Sequence, residues 1–129
     1  MTTTRKPLPP MARIRQSFTR PRVDDAAAEM TAQMELLAPR IKAGTSVGIT
    51  VGSRGIQNIC AMLEAVIAVV RRCGATPVLL AAMGSHGGGT PQGQKEVLDS
   101  LNITEERLGA KVVTCATCRS TACTSSHLA

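Results

Sequence analysis

Two short segments of this chain repeat one pattern: an apolar run, a Gly-Ser-X-Gly turn, then a stretch with helical spacing. The first run is VGITV at 47–51, followed by GSRGI at 52–56. The second is PVLLAA at 77–82, followed by MGSHGGGT at 83–90. A buried strand that feeds a helix through a glycine turn cannot pair with its successor as a hairpin. The crossover makes the two strands parallel and right-handed in connection. The carboxyl ends of neighbouring parallel strands then lie side by side, and there an open α/β sheet binds its ligands.

The variable residue of each turn carries the chemistry. It is Arg54 in the first and His86 in the second. A guanidinium grips carboxylate or phosphate with two parallel hydrogen bonds. An imidazole moves a proton near neutral pH. Ser53, Ser85, Gly87 and Gly88 complete the candidate site, the serines as hydroxyl partners and the glycines as points of close backbone approach. Together they suggest a site for a small acidic molecule. The plain alternative is two tight turns with a solvated histidine. Neither turn fits the Gly-x-Gly-x-x-Gly of dinucleotide folds or the Gly-Lys-Ser/Thr of a P-loop.

The remaining pattern predicts the rest of the domain. Asp24 and Asp25 cap a helix reaching about Lys42, with Met30, Met34, Leu37 and Ile41 on one face, Pro39 disturbing its last turn and Gly44 ending it. The segment 58–73 predicts a helix with Ile59, Met62, Leu63, Val66 and Val70 inward, stopped by Gly74. Residues 91–101 predict a third helix, 104–106 begin another turn, and 111–114 read as a third strand. Residues 11–18 read as a short edge strand. The expected fold is α/β: a three-layer domain with a mostly parallel sheet and a βαβαβ core. The expected division is a disordered leader at 1–10, the α/β domain at 11–113, and a divergent, unstructured tail at 114–129.

Composition narrows the function classes. The chain has 129 residues, enough for one domain with an adequate core. It contains one aromatic, Phe18, which argues against base-stacking nucleic-acid modules. Six of its fifteen Lys and Arg crowd into residues 5–22 without an acid, while the other nine match nine Asp and Glu. That places the net charge of +6 in one basic arm, read here as a solvated leader rather than a nucleic-acid contact. No run is long and apolar enough to span a membrane, and no secretory signal is recognisable, so a cytoplasmic location is expected.

These residues together resemble the N-terminal domain of the lactate racemase-like family, the nickel-pincer-nucleotide enzymes. The resemblance runs from about Ala12 to Val113 and rests on RQSFTRPRVDD, VGITVGSRGI, GATPVLLAAMGSHGGGTPQGQ and NITEERLGAKV. It implies a two-domain α/β protein that racemises or epimerises 2-hydroxy acids. In that family a nickel ion on a modified pyridinium nucleotide takes a hydride from the α-carbon, and histidines act as acid and base on the hydroxyl. His86 matches the family's catalytic histidine of the glycine-rich loop, and Arg54 its first-turn arginine. Gly52 and Ser53 replace the Asp-His-Thr pattern of lactate racemases themselves. The family's second half supplies a lysine bonded to the cofactor, a further histidine and nickel ligation. The resemblance stops after Val113, so the chain is expected to lack that half, to bind no nickel cofactor and to be inactive alone. Its expected partners are a small 2-hydroxy acid or other carboxylate, and a missing second domain or a second copy of itself.

The tail TCATCRSTACTSSHLA offers another reading. Cys115, Cys118, Cys123 and His127 form C-x-x-C-x4-C-x3-H, an acceptable tetrahedral zinc set. A non-catalytic zinc-binding α/β module, or an inert truncated fragment, are therefore the alternatives. Cys60 and Cys73, inside the second predicted helix, read as small apolar fillers rather than a disulfide.

Overall fold

The computed structural model describes residues 11–19 and 21–114. They form a mixed α/β fold around a three-stranded parallel sheet in the order β1-β2-β3, with β1 Ser46–Val51, β2 Thr76–Ala81 and β3 Lys111–Val113. The strands pair in register, Val51 opposite Ala81 and Leu80 opposite Val113. One further bond, from the Ala82 N–H to the Val51 carbonyl at 2.8 Å, holds the first two strand ends level. The turns carrying Arg54 and His86 therefore leave the sheet beside each other.

Helix α1 spans Ala26–Leu37 and starts where Asp25 accepts from the N–H groups of Ala27 and Ala28 at 3.0 and 2.9 Å. It stops short of the expected Lys42. Pro39 has no N–H to give and its ring crowds the carbonyl one turn back, so the chain tightens into a 3-10 turn over Ala38–Arg40. None of the residues of α1 is buried, and Leu37, expected inward, is exposed. The helix lies along α2, tied by the Glu35–Arg72 ion pair.

Helix α2, Ile59–Arg72, sets two apolar stripes at helical spacing. Cys60, Leu63, Ile67 and Val70 are buried, and the first three join the core against the sheet. Met62, Val66 and Cys73 are half-buried and Val69 is buried on the second stripe, where the Cys73 sulfur lies 3.8 Å from the Ala38 carbonyl. The single inward face expected from sequence was thus drawn across both stripes. A helix between a sheet and another helix needs two. Both cysteines are free thiols; Cys60 packs in the core and its sulfur lies 3.4 Å from the Leu101 carbonyl.

Helix α3, Pro91–Ser100, and the short α4, Glu105–Leu108, return the chain to β3. Thr90 caps α3 by accepting from the Gly93 N–H at 3.1 Å, and Thr104 caps α4 by accepting from Arg107 at 3.2 Å. The outer edge of β3 is blunted by a side chain: the Val112 N–H donates to Glu105 at 2.7 Å.

One face of the sheet holds the core. Ile49 and Val51 of β1, Leu79 and Ala81 of β2 and Val112 of β3 meet Leu63 and Ile67 of α2, Leu98 of α3, and Ile103 and Leu108. The alternate residues Gly48, Thr50, Val78, Leu80 and Val113 stay outside that cluster and are half-buried or exposed. The Leu80 side chain lies across Gly48, where a Cβ would come within 2.8 Å of it. Among the described residues the helices thus cover one face, giving two layers at the sheet.

The edge strand expected at 11–18 is absent. This stretch has no regular structure, and Met11, Ile14 and Phe18 are 92, 82 and 69% exposed. A strand of that length is stable only against a partner ladder, and no described strand pairs with it. No helix among the described residues is long and apolar enough to cross a membrane.

Candidate functional site

The two glycine turns build one shallow cleft of about 440 Å³ at the carboxyl ends of β1 and β2. Gly52, Ser53, Arg54 and Ile56 line it from the first turn, and Ala82, Met83, Gly84, Ser85 and His86 from the second. Arg54, Ser53, Ser85 and His86, expected from the sequence to share one site, line this cleft together. The Ser53 hydroxyl and His86 Nδ1 form a hydrogen bond across the cleft. Arg54 is the one charged residue among these lining residues, which include no acid. An anion entering the cleft meets a guanidinium, two hydroxyls and an imidazole, with no described lining group of its own sign.

The second turn is shaped by its glycines. His86 opens a 3-10 turn, His86–Gly89, in which Gly87, Gly88 and Gly89 all have φ near +65°. Three successive left-handed residues are practicable only without side chains. Gly87 and Gly88 do not line the cleft. Gly87 instead touches helix α3: a Cβ on it would overlap the backbone of Gly93, and one on Gly93 would lie 2.6 Å from the Gly87 carbonyl carbon. The Thr90 hydroxyl joins both, accepting from Gly93 and donating to the Gly87 carbonyl at 3.1 Å.

Two supports went unrecognised in the sequence. Gly93 is one, and its signal was a glycine in the first turn of a helix, where it lowers helix propensity. Gln94 is the other. It is 2% exposed, and its amide donates to the Gly84 carbonyl at 3.3 Å, fixing the loop from beneath. Met83, 7% exposed, forms the apolar floor. Its period-two position, two residues beyond the last residue of β2, could have marked it.

A second cavity, of about 250 Å³, lies among α3, α4 and β3 and shares no residue with the cleft. Two of its four charged groups are engaged with each other. Lys95 donates to Asp99 at 2.8 Å, and this hydrogen bond, with the same carboxylate's charge, raises the ammonium pKa. Glu105 is taken by the β3 edge. Its lining includes no histidine, cysteine or serine, and the Ser53–His86 cleft is the candidate site.

Among the described residues no group of three or more His, Cys, Asp or Glu is placed to hold a metal ion. Cys115, Cys118, Cys123 and His127 lie outside the described residues. So do the leader at 1–10 and all of the tail except Thr114.

Fold and cleft together define a parallel α/β domain with a cation, two hydroxyls and an imidazole at its strand ends. No protein-family model, curated protein or solved structure matches the chain.

Proposed function

We propose that this domain is the substrate-cleft half of a nickel-dependent 2-hydroxy-acid racemase or epimerase of the lactate racemase-like kind. Arg54 takes the carboxylate, and His86 exchanges the proton of the neighbouring hydroxyl. The observation that carries the reading is one cleft that holds the Arg54 side of the first turn and the Ser53–His86 pair. A 2-hydroxy acid has its carboxylate and hydroxyl on adjacent carbons. Its two oxygen groups therefore suit a cation and a base mounted on adjacent strand ends.

The nickel-pincer nucleotide would supply the hydride acceptor for the α-carbon. The described residues do not fit that group, because they offer no cluster of metal ligands. No chemical step of this domain is routed through it. What these residues do is bind the carboxylate, orient it and hold or accept a proton at His86. A cytoplasmic location and a third layer on the open face of Thr50, Val78, Leu80 and Val113 belong to the same reading. That layer would come from the family's second domain, or from a second copy of the chain.

The test is a titration of the labelled protein with L-lactate, followed through the amide and imidazole resonances of residues 52–56 and 83–90. Binding in roughly the millimolar range is expected, a free energy of about 4 kcal/mol. Arg54→Ala should weaken it about tenfold, the loss of one charge-assisted contact. Unperturbed cleft resonances at high lactate, or equal affinity in Arg54→Ala, would refute the reading. Supplied with the mature nickel cofactor, the chain alone should exchange no α-deuterium from lactate. Turnover that His86→Ala abolishes would show that it needs no second domain.

A further inference from the structure

We propose that Ser53 is a positioning residue that couples an anion held by Arg54 to the protonation site of His86. This rests on the reading of the cleft as a carboxylate site and adds a device that decides which imidazole nitrogen is basic.

Ser53 and Arg54 are neighbours in one turn, and His86 comes from the next strand end. The Ser53 hydroxyl contacts Nδ1, so the other ring nitrogen, Nε2, makes no part of this bond. A hydroxyl can either donate to a ring nitrogen or accept from it. With the cleft empty, the best acceptor near the Ser53 proton is Nδ1 itself. The hydroxyl then donates to Nδ1 and the ring carries its proton on Nε2. A carboxylate on Arg54 offers a stronger, charged acceptor. The Ser53 hydroxyl turns to the carboxylate and its oxygen presents a lone pair to the ring. Nδ1 now binds a proton and donates it to Ser53, while Nε2 releases its own proton to water. The ring stays neutral and the proton count is unchanged. The result is a base, Nε2, created only when the anion is in place.

The experiment reads the imidazole nitrogens of His86 by two-bond nitrogen–proton correlation, in the pH range where an imidazole is neutral. His86→Gln assigns the signals against His127. Sodium acetate is the probe, since it supplies the carboxylate without a hydroxyl. In the free protein His86 should be mainly the Nε2–H form. Saturating acetate should make it mainly Nδ1–H. Ser53→Ala should still bind acetate, seen in the amide shifts around Arg54, yet stay Nε2–H. Ser53→Thr should restore the switch, which a merely structural role for Ser53 would not require. An unchanged tautomer in the acetate-bound native protein, or a switch that persists in Ser53→Ala, would overturn the proposal while leaving the carboxylate site standing. Failure of acetate to bind, or binding indifferent to Arg54→Ala, would remove the carboxylate site and this coupling with it.

Discussion

Gly93→Ala is expected to destabilise the protein by about 3 kcal/mol, the upper part of the range for overpacking. The added methyl would run into the Gly87 carbonyl, and neither neighbour is the free end of a flexible side chain. Relief requires the loop to move off α3. Gly87 follows His86 directly, so the same movement should break the Ser53–His86 bond. The urea midpoint measures the first effect, and the His86 ring resonances the second. Gly88→Ala is the control. Gly88 has φ +68°, but a methyl added there would meet nothing within 4 Å, so it should suffer only left-handed strain, about 1–2 kcal/mol. Equal effects from the two substitutions would mean that the close approach of loop and helix contributes nothing.

Leu79→Ala should cost about 2–5 kcal/mol, the cost of a cavity in a packed core. Leu79 is completely buried at the centre of the sheet, opposite Ile49 and Val112 in register. Against a total stability of about 5–15 kcal/mol, that loss is enough to unfold a marginal domain. Leu80, next in sequence, points to the open face and is half-buried. Leu80→Ala should cost about 1 kcal/mol, since the side chain removes less apolar surface from water. Thermal or urea unfolding of both variants decides the matter. If Leu80→Ala is as damaging as Leu79→Ala, the second face is covered in solution, as the proposed third layer requires. If it is mild in dilute protein, then Leu80→Asp should reduce self-association at high concentration without loss of folding.

Local chemistry made much of this legible. The apolar runs at 47–51 and 77–82 and the glycine turns after them marked two parallel strand ends. Asp25 marked one helix start because capping is a contact between near neighbours, and Pro91 marked another because its missing N–H costs nothing in a first turn. Arg54 and His86 could be placed in one cleft from pattern alone, because parallel strands put their ends side by side. The reading failed where the outcome depends on partners far along the chain. Residues 11–18 alternate like a strand, but no described strand pairs with them. The face of α2 was misdrawn because α1 adds a second neighbour that its own periodicity does not reveal.

From the first helix onward the sequence by itself determined the order of helices and strands and the chemical groups at the turns, since these follow from propensity, capping and the absence of a Cβ. Only the tertiary structure decided that Ser53 meets His86, that Gly93 stands against Gly87, and that the described helices share one face of the sheet. Each of these joins segments that are separate in the chain or depends on the hand of a crossover. Such contacts are set by how whole elements pack, which local pattern does not encode.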